Sequence, residues 1–422
     1  MFNVDLEQRV ESLFDKQVEF LIQLVAAKST RGNEERAQKI MKNKMASDGA
    51  RIDELKIDLD QIKHLPGFSP VLVDYKNMVN VIGNYGNADG NGRSLIMNGH
   101  IDVVPEGPLS GWTSHPYKPE VRDNKLFGRG ANDMKGGLTA KVFALKAIKE
   151  AGYKPNAPVY LQSVVEEECT GNGALACVAA GYKADAALIG EPFDEALVTA
   201  QVGVIWFQIK LSGKPVHAER ATEGVNAVEA MLPVIAGYRE MEKQWNNEKM
   251  NYPDFAQHQH PINLNVGEFH GGDWTSSVPA WAVLNLRIAI YPGDSLSERS
   301  RQIEKTLQNL IQENGLVKKA KPVLVYHGFY GEGYTLPENT DAENELASAH
   351  EGIFNSPLKR IAVTAATDSR FFGIYQNTPA LVYGPSGERI HAFDEYVDLD
   401  SLKNITKVYA RFIQNWCGIT EL

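Results

Sequence analysis

In MFNVDLEQRVESLFDKQVEF, at the start of the chain, apolar residues recur every three or four positions, the spacing of an amphipathic helix. A second helical stretch, over 34–46, stops at Ser47-Asp48-Gly49, and RIDELKIDLD then takes up the two-residue alternation of a strand. NVIGNYG and SLIMNGHIDVV flank the turn-rich NADGNGR, a hairpin-like pattern. MKGGLTAKVFALKAIKEAGY returns to helical spacing and ends at Gly152, after which come strand-like VYLQSVV, a glycine-containing loop with a short helix, and strand-like ADAALIGEP. Strands alternating with helices predict an α/β layer architecture, a mostly parallel mixed sheet flanked by helices.

Near Gly203 the pattern changes. VGVIWFQIKLSG alternates as a strand, VNAVEAMLPVIAGYREMEKQW reads as a helix, WAVLNLRIAIYPG as a strand and SLSERSRQIEKTLQNLIQENG as another helix. This β-α-β-α run predicts a small inserted α+β unit of the split βαβ, ferredoxin-like kind over 203–321. PVLVYHGF then resumes the α/β pattern, which closes with ALVYGPSG and a C-terminal helix, so 1–202 and 322–422 form one domain around the insert.

A chain of 422 residues exceeds one ordinary core, which agrees with two domains. A net charge of −10 with no basic cluster excludes nucleic acid and anionic membrane as partners and leaves small molecules or peptides. Three scattered cysteines form neither a disulfide framework nor a metal knuckle, and no apolar run approaches the ~20 residues of a membrane span. With no signal-peptide pattern at the N-terminus, a cytoplasmic protein is expected. HGFYGEGY lacks the spacing of a phosphate loop, and no GxSxG elbow points to serine hydrolysis.

The candidate chemistry lies at strand ends, where open α/β sheets gather their ligands. His100 and Asp102, in NGHIDVV, stand two apart and so on one face, the arrangement of an imidazole with a carboxylate behind it. Asp133 sits in glycine-rich GRGANDMKGG at a helix start; Glu166, Glu167 and Glu168 follow a buried-strand pattern, where like charges are costly without a cation. Glu191 ends LIGEP, and His391 follows another apolar strand and a glycine turn. Two histidines and at least three carboxylates supply ligands for two divalent ions bridged by one carboxylate, and mixed N/O ligation suits zinc, or cobalt or manganese.

The order HID, GANDMKGG, EEE, GEP, KPVHA inside the insert and HAFDEYV resembles the M20 family of co-catalytic metallopeptidases and amidohydrolases, which includes acetylornithine deacetylase, succinyl-diaminopimelate desuccinylase, aminoacylase and glutamate carboxypeptidase. The resemblance implies a zinc-peptidase-like catalytic domain and an inserted lid and dimerisation domain. It implies that His100 binds one metal with Asp102 behind it, that Asp133 bridges two ions, that Glu191 completes the first site, and that Glu168 and His391 complete the second. Glu167 would be the general base. His217, in KPVHA, is similar to a histidine that in dimeric relatives reaches the neighbouring subunit's site and steadies the oxyanion. The family usually carries Asp where this chain has Glu166, which leaves the base and ligand open between Glu166–Glu167 and Glu167–Glu168; spacing to Gly171 and Gly173 favours the latter.

Arg370 in TDSRFF and Arg287 in LNLRIAI are the candidates to clamp a substrate carboxylate by paired hydrogen bonds. TDSRFFG with NTPALVYGP resembles the substrate loop of deacylase members, so the first expected substrate is an N-acyl amino acid of the acetylornithine type. Dipeptide or carboxypeptidase-type hydrolysis and deformylation of an N-formyl amine share the same chemistry. From a different class, a catalytically silent, metal-binding dimeric scaffold is the alternative.

Overall fold

The computed structural model describes residues 5–422; the first four residues of the expected N-terminal helix lie outside the described residues. The helix itself spans Leu6–Ala26, with the Asp5 side chain accepting a hydrogen bond from the Gln8 amide at its start. Its buried stripe, Leu6, Val10, Leu13, Phe20, Leu21 and Leu24, follows the predicted spacing.

The main sheet is mixed. Its strands lie in the order Arg51–Lys56, Val79–Tyr85, Val159–Val164, Leu95–His100, Ala186–Ile189, Ala380–Val382, Leu197–Gln201 and Tyr334–Thr335, with Arg360–Val363 also pairing with Leu197–Gln201. The pairings around Leu95–His100 are parallel, as are those of Ala380–Val382 with Ala186–Ile189, while the edges are antiparallel. The hairpin-like pattern around NADGNGR is not a hairpin. Val159–Val164 lies between the two flanking strands, antiparallel to one and parallel to the other. Leu95–His100 is buried at every position, which calls for a neighbour on both edges that a two-stranded hairpin does not supply.

Helix Gly137–Glu150 packs against this sheet and against Leu6–Ala26 and Leu399–Cys417. It is buried over nearly all its circumference, Lys141 included, whose Nζ donates to the Asn98 carbonyl. Full burial of each of its large apolar side chains, such as Leu138 and Phe143, contributes about 1.5–3 kcal/mol. The helix ends at Gly152, whose φ of +91° suits glycine, as the sequence pattern predicts. Among the described residues no helix is long and apolar enough to cross a membrane.

A second, antiparallel sheet has its own core. Its strands lie in the order Leu264–Gly271, Trp281–Ile290, Gly203–Ser212 and Val323–Gly331, and helices Ala227–Asn247 and Leu296–Glu313 pack beside each other. In Gly203–Ser212 the residues Ile205, Phe207, Ile209 and Leu211 are buried and Lys210 and Ser212 exposed, a period-two pattern that aims one face, shared with Leu284 and Leu286 of the paired strand, at Tyr238 of helix Ala227–Asn247. The chain order is therefore βαββαβ, where the sequence pattern indicated β-α-β-α. Leu264–Gly271 is an edge strand with only Leu264 buried, so hydrophobic alternation does not reveal it. Val323–Gly331, expected to return to the first layer, forms the other edge of this second sheet. The insert therefore runs past the expected boundary at 321, because the register that pairs Lys210 with Val323 and Val204 with Gly331 occupies the full strand.

Candidate active site

Sheet register brings the acidic groups to one level. His100 pairs with Val164, and Asn98 pairs with Ile189, so Glu191, two residues beyond Ile189, comes level with His100. Beyond Val164 the chain turns at Glu166, whose φ is +68°, and folds Glu167 and Glu168 back toward the histidine. Asp133 arrives from the turn before Gly137. A Cβ on Gly137 would lie 2.1 Å from the Gly190 carbonyl oxygen, so glycine permits this close approach of the Asp133 turn to the strand end that carries Glu191.

Asp133 lies between the two histidines. Its Oδ1 is 3.1 Å from His100 Nε2 and its Oδ2 is 3.4 Å from His391 Nε2. His100 Nε2 also faces Glu191 Oε1 at 3.5 Å and Glu167 Oε2 at 3.9 Å, while His391 Nε2 lies 3.1 Å from Glu168 Oε2. His100, Asp133 and Glu168, and separately His100, Glu167 and Glu191, place ligand atoms within 4.8 Å of one another.

Asp102 differs from its expected role. The Nδ1–H of His100 donates to the Asp102 main-chain carbonyl at 2.9 Å, and the Asp102 carboxylate is 3.8 Å away. That carboxylate instead accepts the Glu168 amide at 3.1 Å and the Glu167 amide at 3.4 Å, so Asp102 holds the turn that carries both glutamates. The bond at Nδ1 fixes the imidazole with Nε2 toward the acids, the orientation a metal ligand needs. Glu166 points elsewhere: its carboxylate accepts from Tyr75 Oη at 2.7 Å and Thr170 Oγ1 at 3.1 Å. Of the two registers left open by the sequence, the geometry puts Glu167 and Glu168 in the cluster.

The electrostatics are those of a cluster able to hold a cation. Burial alone pushes the carboxyls of Glu167 and Glu191 up, with further repulsion between them, and His100 opposes the shift. For His100, burial lowers the pKa, but Glu191, Asp133 and Glu167 outweigh it and hold the imidazole well above its ordinary range. His391 is raised chiefly by Glu168. Burial opposes, yet the two histidines hold Asp133 well below the usual carboxylate range. Among the described residues, Glu191 Oε1 is buried with no hydrogen-bond donor at bonding distance, His100 Nε2 standing 3.5 Å away. Carboxylate oxygens and imidazole nitrogens converging around an undonated oxygen form a donor set suited to divalent metal ions.

The cluster opens into a cleft of about 520 Å³ whose walls come from both sheets, among them Phe193, Trp206, Asn265, Arg287, Phe329 and Thr367. Arg287 lines it from the second sheet, its guanidinium donating at 3.3 Å to the carbonyls of Asn263 and Thr364. Arg370 does not line it. It is 1% exposed, donates from Nη2 to the Thr170 carbonyl at 3.1 Å and packs 4.1 Å from the Phe371 ring centre. It braces the turn after the glutamates, and the expectation that it clamps a substrate is corrected on that ground. His217 is exposed on the second sheet's loop, where its Nδ1 accepts the Glu219 amide, and a single copy of the chain does not bring it to the cluster. Trp206, Asn265 and Phe329 went unnoticed in the sequence because they read as ordinary strand residues until two sheets face each other.

Residues 96–415 match the description of Peptidase family M20/M25/M40. The chain is 30% identical over 348 residues to the N-formyl-4-amino-5-aminomethyl-2-methylpyrimidine deformylase of Bacillus subtilis, covering 77% of this chain and 80% of that protein. It is 28% identical over 353 residues to the acetylornithine deacetylase of Edwardsiella ictaluri, covering 81% and 84%. In fold it is similar to a Saccharomyces cerevisiae di-peptidase, with a TM-score of 0.78 at 16% identity over 98% of each chain, and to human carnosine dipeptidase 1, with a TM-score of 0.73 at 16% identity over 98% and 99%.

Proposed function

This chain belongs to peptidase family M20/M25/M40, and from that premise we propose that it hydrolyses the amide bond of a small N-acyl amino acid using two divalent ions, zinc first. The observation that supports this most is Asp133, whose two oxygens face two different histidines while Glu167 stands across from them. His100, Asp133 and Glu191 would hold one ion, and His391, Asp133 and Glu168 the other. Such a pair, when bound, lowers the pKa of water and polarises a carbonyl oxygen.

The chain's own residues supply the remainder. Glu167, whose carboxyl is raised by burial, takes the proton of the attacking water at Oε2 and delivers it to the leaving amine nitrogen. Asp102 keeps Glu167 and Glu168 aimed by accepting their amides. Arg287, facing the cleft from the second sheet, receives the substrate carboxylate. His217, exposed in the single chain, serves the oxyanion in a neighbouring copy of a homodimer joined through the second sheet, which acts as a lid. The buried free cysteines fit a cytoplasmic setting.

A second reading, deformylation of an N-formyl amine, is favoured by the 30% identity to the pyrimidine deformylase. The test is an assay of zinc- and cobalt-loaded protein against N-acetylornithine, other N-acyl amino acids, N-formyl amines and dipeptides. Chelation should abolish cleavage, and zinc or cobalt should restore it. Two bound ions with no cleavage of any class would favour the non-catalytic scaffold.

A further inference from the structure

We propose that Glu395 is a positioning residue that ties the loop bearing His391 to the turn bearing Asp133 and thereby sets the second metal position, an inference that rests on the two-ion reading above. Glu395 is 1% exposed, and four donors converge on its carboxylate. Oε1 accepts the amides of Asn132 and Asp133, each at 3.0 Å, and Oε2 accepts the Gly130 amide at 3.0 Å and Arg129 Nη1 at 2.7 Å. Three of these donors belong to the turn that aims Asp133, and one is the amide of Asp133 itself.

The loop of His391 leans on the same turn. A Cβ on Gly387 would lie 2.5 Å from the Asn132 side chain, and Tyr396 and Val397 pair with Phe127 and Leu126 just before the turn. Arg389, His391 and Asp394 all have left-handed φ, between +57° and +64°, so the intervening backbone gains little from regular structure. Its anchors are side chains: Asp394 accepts the Thr113 amide at 2.8 Å, and Glu395 follows directly. His100, by contrast, is fixed by sheet register and by the Asp102 carbonyl. Loss of the Glu395 clamp should therefore release His391 and Asp133 relative to each other and spare the His100 side more.

Glutamine cannot replace this carboxylate. It offers one acceptor oxygen, and its NH2 would face donors. A simple buried ion pair with Arg129 would explain stability alone, so the test must read geometry at the cluster. Metal-free wild type, Glu395→Gln and Arg299→Met are titrated with Co²⁺, followed by visible absorption and calorimetry, and melted without metal. Arg299 pairs with Asp294 and Glu248 in the second sheet's unit and serves as a destabilised control away from the cluster.

Wild type should take two ions. Glu395→Gln should keep one near wild-type affinity and bind the other about 10–100-fold more weakly, with an altered cobalt spectrum, as expected for loss of a residue that orients ligands. Amide hydrolysis should fall in kcat more than it rises in KM. Arg299→Met should melt lower and bind both ions normally. Unchanged affinities and spectrum in Glu395→Gln overturn the proposal, however low its melting temperature. Fewer than two ions in wild type overturn the two-ion reading and this inference together. If Glu395→Gln does not fold, Arg129→Gln, which removes one of the four donors, should weaken the same ion several-fold, and an unchanged affinity overturns the proposal equally.

Discussion

His100 and His391 offer the same atom to the same carboxylate from opposite kinds of structure. His100 ends a strand buried on both edges, its side chain is 1% exposed, and its ring is locked by a main-chain carbonyl. His391 sits on a left-handed loop with its side chain 51% exposed and only carboxylates at its Nε2. One half of the cluster is thus positioned by the sheet that makes the fold, and the other by side chains that clamp a loop. Loss of the sheet-borne ligand removes a fully buried imidazole from three carboxylates, whereas loss of the loop-borne one removes a half-exposed ring from two.

The largest effect is expected at the proposed base, which stands beside the His100 half. Glu167→Gln should cut amide hydrolysis by roughly 10²–10⁴-fold, the usual contribution of a positioned general base, while the bound-metal count stays at its wild-type value. Residual turnover near wild type would remove Glu167 from the role of base. Next in size, His100→Ala should destabilise the metal-free protein by about 3–5 kcal/mol, because Asp133, Glu167 and Glu191 would be left buried without their cation. His391→Ala should cost the metal-free protein less than His100→Ala, since the His391 ring is 51% exposed although its partners Asp133 and Glu168 are only 12% and 13% exposed. Equal losses in urea unfolding would erase the distinction between the two halves.

A smaller effect lies behind the cluster. Burial raises the Glu34 carboxyl to about 7 from 4.5, with Glu166 adding repulsion and the Gly32 amide opposing. Between those values the native state keeps a proton that the unfolded chain has released, so this group's contribution to stability falls as pH rises through the window and its cost is complete above 7. Glu34→Gln should leave stability unchanged below pH 4.5 and raise it at pH 8 by up to about 3 kcal/mol. Urea midpoints of the metal-free protein that shift equally at both pH values would show that Glu34 does not titrate in this way.

Much of the cluster was legible in the sequence because most of its members follow an apolar run, Asp133 in its glycine-rich turn being the exception. HID, EEE and GEP are acids and histidine at the ends of strands that pattern marks as buried, and such groups are costly there without a partner. Arg370 was chosen because a guanidinium can clamp a carboxylate by paired hydrogen bonds, and only packing shows it buried against Thr170 and Phe371. Glu395 lay within the quoted HAFDEYV, yet its partners, Gly130, Asn132 and Asp133, are more than 260 residues away in the chain.

The amino-acid sequence by itself determined the α/β layering, the presence of an inserted α+β unit and the identity of the acids and histidines that gather at strand ends, because burial writes a local period into the chain. The tertiary structure decided which strands are neighbours, where the second sheet ends, which of Glu166, Glu167 and Glu168 face the cluster, and which arginine faces the cleft. Those are matters of register and of contacts between distant segments, and a one-residue shift in a strand or turn reverses where a side chain points without altering the local pattern that predicts it.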